Sequence, residues 1–109
     1  MAASVTASGT QTATVTTEHT LSNSSTAGTF QLAVDTSNLV AGESVELRAY
    51  VKVINTSGTY RQAAVVLVQG GDPSPAAISP PLLCPNGVQY TLKQLSGTGR
   101  AFDWAVWSI

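Results

Sequence analysis

Polar and apolar residues alternate one for one through much of this chain, in short runs separated by turn residues. That period of two belongs to β-strands. In residues 28–37, GTFQLAVDTS, Phe30, Leu32 and Val34 fall on one side and Gln31, Ala33 and Asp35 on the other. In residues 43–54, ESVELRAYVKVI, the inward set is Val45, Leu47, Ala49, Val51 and Val53, and the outward set Glu46, Arg48, Tyr50 and Lys52. A helix would scatter those apolar positions around its circumference. Residues 88–95, VQYTLKQL, set Val88, Tyr90 and Leu92 against Gln89, Thr91 and Lys93.

The connecting stretches carry turn chemistry. NLVAGE (38–43) turns at Gly42, and NTSG (55–58) predicts a hairpin returning through TYRQAAVVLVQ (59–69). The AAVVLV of that return is apolar on both faces, which predicts a central strand covered on two sides. GGDPSP (70–75) is a loop. AAISPPLL (76–83) holds Pro80 and Pro81, which cannot donate to a ladder, so it belongs at an edge or outside the sheet. PNG (85–87) and SGTG (96–99) turn the chain again before a last strand, RAFDWAVWSI. At the other end, residues 11–20 predict a Thr-rich strand and 21–28 a loop, while 1–10 read as a flexible or partner-bound arm.

Short strands spaced by turns at about 8–12 residues predict an all-β fold: a single antiparallel β-sandwich over 11–109, of Ig-like or jelly-roll type, with an extended N-terminal arm over 1–10. With 109 residues the chain fits one domain. Its hydrophobic content of 43% is enough for a core, although only 10% of the residues are charged. The surface is then covered by hydroxyls, amides and small apolar groups, a composition suited to life inside an assembly.

Charge and reactive chemistry exclude more than they suggest. Five bases, Arg48, Lys52, Arg61, Lys93 and Arg100, are scattered among six acids and form no stripe for a phosphate backbone, which argues against direct nucleic-acid binding. Nothing resembles a secretory signal or a membrane span, so the expectation is synthesis in the cytoplasm without export and no membrane partner. Cys84 stands alone between Leu83 and Pro85 and reads as a buried apolar side chain, with His19 as the one imidazole in the chain. Asp35, Glu43 and Glu46 lack the dense oxygen spacing of a calcium loop and read as solvated strand-end carboxylates. GTGR at 97–100 lacks the helix and lysine of a phosphate loop. No catalytic, cofactor-binding or metal-binding residue is expected.

What the sequence offers instead is surface for contact. Phe102 and Trp104 lie on one face of the last strand and Trp107 on the other, so at least one large aromatic is left for solvent or a partner. Arg100 has two open destinations, Asp103 or a neighbouring subunit. The interface candidates are Val5 in the arm, Tyr50, Arg100, Trp104 and Trp107.

The stretch VQYTLKQLSGTGRAFDWAVWSI (88–109) resembles the C-terminal ending of short virion structural proteins of tailed bacteriophages: a strand with a TLKQ-like run, GTGRAF, an aromatic and a final strand. FQLAVDTSNLVAGESVELRAYVKV (30–53) is similar to the same group, with a D-x-x-x-L-x-x-G connection and an ELR strand. The resemblance implies location in the virion and no catalytic residue. The expectation it supports is a capsid decoration or cement protein on the head surface, with the major capsid protein and copies of itself as partners. A head–tail or tail component is the alternative within virions. From another class stands a carbohydrate-binding or adhesin module using Trp104, Trp107 and Tyr50.

Overall fold

The computed structural model describes residues 3–109, and among them every regular element is a strand. The strands are β1 (Ser4–Thr12), β2 (Glu18–Ser24), β3 (Gly28–Asp35), β4 (Ser44–Val51), β5 (Arg61–Gln69), β6 (Ala76–Ile78), β7 (Leu82–Cys84), β8 (Val88–Gln94) and β9 (Ala101–Ser108). They form two antiparallel sheets. Sheet A runs β1-β9-β3-β6, with β7 also on β3, and sheet B runs β2-β8-β4-β5.

Partners nest from the outside of the chain inwards: β1 with β9, β2 with β8, β3 with β6 and β7, β4 with β5. Successive pairs alternate between the sheets, so the chain is one long hairpin wound around a core. Of the two expected types, that order is the jelly roll.

The alternating positions become the core between the sheets. Phe30, Leu32 and Val34 of β3 and Phe102 and Val106 of β9 face Val45, Leu47 and Ala49 of β4 and Val88, Tyr90 and Leu92 of β8, all of them buried. Tyr90 is the anomaly in this apolar layer, because its hydroxyl is buried without a hydrogen-bond partner. The neighbouring Ser79 hydroxyl accepts from the Leu32 N–H at 2.9 Å and donates to the Pro80 carbonyl at 3.2 Å. Burial, and then the proximity of Cys84, push the Tyr90 phenol up to about 12, against a smaller opposing effect of the Ser79 hydroxyl, which lies near it but outside hydrogen-bond geometry. An unpaired buried donor destabilises, so Tyr90→Phe should raise the unfolding free energy by about 1 kcal/mol in urea denaturation. A loss of similar size would show that the hydroxyl has found a partner.

Several expectations are corrected. Residues 4–10 belong to an edge strand, since β1 runs unbroken across the expected boundary at residue 10 and pairs with β9 from Ser4↔Ser108 to Thr12↔Ala101. Met1 and Ala2, the start of the expected arm, lie outside the described residues. The expected strand at 11–20 is divided by a turn, in which Thr16 takes a φ of 70°, and the expected loop at 21–28 is strand as far as Ser24. Leu21 there packs against the core. The inward set of β4 ends early: Val51 is only half-buried, and Val53 is exposed because the chain has already left the sheet. The expected central strand is β5, which lies at the edge of sheet B and leaves Val65 and Leu67 exposed.

Candidate functional site

The five interface candidates do not form one surface. Arg100 belongs to a clasp at one end of the sandwich, where its guanidinium grips Glu43: Nε donates to Oε1 at 3.0 Å and Nη2 to Oε2 at 3.0 Å. The backbone N–H groups of Val40 and Thr98 donate to the same carboxylate, each at 3.0 Å. The Arg100 hydrogen bond, followed by those from Val40 and Thr98, lowers the Glu43 carboxyl from 4.5 to about 2. Glu43 is therefore buried at 6% exposure rather than solvated, and Arg100 pairs with Glu43 rather than with Asp103.

Gln94 completes the clasp from below. Its Nε2 donates to the carbonyls of Ser96 and Thr98, and its Oε1 accepts from the Arg100 N–H. A side chain at Gly97, where φ is 84°, would run into Glu43. The TLKQ, GTGR and LVAGE segments that carry the resemblance thus meet in one polar knot that ties two turns together.

Trp104 faces inward with Phe102 and Val106, packs against the core and covers Gly9 of β1, its partner across the ladder. Tyr50 lies on the outer face of sheet B, where its hydroxyl donates to Glu18 Oε2 at 2.6 Å. Thr91 donates to the same oxygen at 2.6 Å, and Arg48 lies 3.6 Å from Glu18 and 3.0 Å from Glu46. Burial raises the Glu18 carboxyl, but the bonds from Thr91 and Tyr50, with Arg48 and Lys93 nearby, outweigh it and hold the group below its ordinary value. The outer face of sheet B therefore carries a charged, largely paired cluster over β2, β8 and β4.

Val5 and Trp107 do come together, on the opposite face of the molecule. Partners across a ladder share a face, so the outer side of sheet A can be read in rows. Val5, Trp107 and Gln31 make the first, Ser8, Ala105, Ala33 and Ile78 the second, and Thr10, Asp103, Asp35 and Ala76 the third. A bulge in β1 between Val5 and Ala7 turns Val5, which is 61% exposed, towards Trp107. The small Ala33 and Ala105 leave a shallow depression of about 410 Å³ between Trp107, Ile78, Pro75 and the two aspartates. Leu83 and Ile109 are also exposed beside Thr29, which continues β3 beyond the first row.

The aspartates end the apolar area. Each is already engaged: Thr10 Oγ1 donates to Asp103 at 2.6 Å, and the Ser37 N–H donates to Asp35 at 2.9 Å. Hydrogen bonding to Ser37 holds Asp35 below its ordinary value. Among the described residues no group of His, Cys, Asp and Glu side chains is arranged to hold a metal ion.

Cys84 is fully buried, and burial pushes its thiol further from the thiolate. His19 Nε2 accepts the Thr14 N–H at 2.9 Å within the β1–β2 turn. The two residues sit in different sheets. Sequence reasoning missed the Glu43–Gln94–Arg100 clasp and the row structure of sheet A, which depend on pairings across most of the chain.

No family model, curated protein or solved structure matches this chain.

Proposed function

We propose that the protein is a bacteriophage virion structural protein, a capsid decoration or cement protein that docks on the assembled head through the outer face of sheet A. The observation that carries this reading is the asymmetry between the two outer faces. Glu18, Glu46, Arg48 and Lys93 stand over β2, β8 and β4 of sheet B, with Val65 and Leu67 exposed along its β5 edge. On sheet A, Val5 and Ile78 are exposed and Trp107, Ala105 and Ala33 half-buried across the face. A small domain with one face apolar across its middle suits one-sided attachment to a larger surface. Binding only the assembled shell would favour it over its dissociated state by mass action. The resemblance of residues 30–53 and 88–109 to virion proteins gives the reading its setting.

A binding role fits the reactive groups better than a catalytic one. The thiol is buried in protonated form, the imidazole is committed to a backbone N–H, and the carboxylates of the clasp and of sheet B are paired. Jelly rolls serve both capsid and lectin domains, so the fold does not choose between them. Trp107 favours protein over sugar, because its row carries Val5 and Gln31 rather than a cluster of polar groups to hold hydroxyls.

The test is cryo-electron microscopy of particles of the phage that encodes the chain, with co-sedimentation of the purified protein on heads stripped of it. Density on the head surface and retention lost in Val5→Lys/Trp107→Ala, with an unchanged melting temperature, are expected. Density on the tail, absence from particles, or retention equal to wild type would overturn the reading. Quenching of tryptophan fluorescence by a glycan would favour the adhesin alternative.

A further inference from the structure

We infer that β5 is a dimerisation edge, which pairs antiparallel with β5 of a second copy to join two B sheets into one. This stands apart from attachment through sheet A, and either can fail alone.

Edge strands expose unpaired backbone groups, and soluble proteins blunt them. Three of the four edges here are blunted. β1 carries a bulge between Val5 and Ala7, followed by Gly9. β2 carries a bulge between Thr20 and Ser22 and begins with the charged Glu18. On the far side of sheet A stand, among the described residues, only the three-residue strands β6 and β7, separated by Pro80 and Pro81.

The edge at β5 also has a bulge, at Ala63, and a charge, Arg61, but both stand at its start and leave the rest of the strand unprotected. Its one irregularity lies opposite Ala49 and Tyr50, and from Ala64 to Gln69 the ladder with β4 is unbroken. That segment, AVVLVQ, contains no charge, proline or glycine, and among the described residues no strand pairs with its outer edge. Val65 and Leu67 are 44% and 55% exposed on the outer face.

The occupant is a second copy because the strand complements itself. A two-fold axis at Val66 sets Val65 of each chain beside Leu67 of the other, so the exposed pair covers its counterpart. The single charge of β5, Arg61, then lies at opposite ends of the joined strands. A parallel arrangement would place the two arginines side by side, which disfavours it. A partner of opposite charge would find little to complement on this edge. Backbone hydrogen bonds supply affinity, and the Val65–Leu67 contacts fix the register.

Sedimentation equilibrium of the full chain tests this. Wild type should dimerise reversibly, and Val65→Lys/Leu67→Lys, which changes only exposed side chains, should weaken dimerisation roughly 100-fold by facing like charges. Far-UV circular dichroism of that variant should match wild type. Val65→Glu/Leu67→Glu should likewise be monomeric, and an equimolar mixture of the two variants should recover a heterodimer, because each ammonium then faces a carboxylate. Val5→Lys/Trp107→Ala should dimerise as wild type does. A monomeric wild type at high concentration, a dimer that survives the lysine pair, or a mixture that stays monomeric would each overturn the proposal.

Discussion

Phe102→Ala should lower the unfolding free energy by ~3–5 kcal/mol, since it empties the largest apolar site in the core. Phe102 is fully buried on β9, a strand paired on both sides, so neighbouring side chains have little freedom to close the void. Domains of this size have about 5–15 kcal/mol in total, and the variant should populate unfolded chain under conditions where wild type does not. Urea denaturation measures the difference directly. Trp107→Ala on the other face of the same strand serves as comparison and should change stability far less. A loss below about 1 kcal/mol at Phe102 would place the core elsewhere.

The second large effect belongs to the clasp. Glu43→Gln removes a carboxylate that Arg100, Val40 and Thr98 all address, and it should lower the melting temperature at neutral pH by on the order of 10 °C. The pH dependence gives a sharper signature. A carboxyl lowered by folding stabilises fully above its unfolded value of 4.5, and that contribution is lost as pH falls towards about 2. Wild type should therefore lose melting temperature over this window, and Glu43→Gln should lose less. Glu18 and Asp35, also held below their ordinary values, will keep part of the dependence in both chains. Equal slopes would mean that Glu43 is not paired in solution.

How much of this was legible follows from what each strand presents. β3, β4 and β8 have one polar and one buried face, and Phe30, Leu47 and Leu92 announced themselves by alternation. β5 misled because an apolar strand at an open edge has the same composition as one buried between layers; Val65 and Leu67 look identical in either place. β1 was hidden for the opposite reason. Its Thr, Ser and Gly residues carry almost no alternation, and what makes them a strand is β9, which lies at the other end of the sequence. Glu43 and Arg100, 57 residues apart, gave no local sign of each other. Arg100 had two proposed partners in the sequence, and the fold supplied a third.

The nested winding also sets an order in time. Sheet A has β9 between β1 and β3, so a growing chain holds those two strands without their shared neighbour until residues beyond 101 have been made. In sheet B, β2 and β4 wait similarly for β8, and only the β4–β5 hairpin can close early from residues near one another in sequence. During synthesis that hairpin precedes both finished layers, with the bare side of β5 already on display. Crowded nascent chains on one messenger would therefore meet first through the strand that has least to hold them apart.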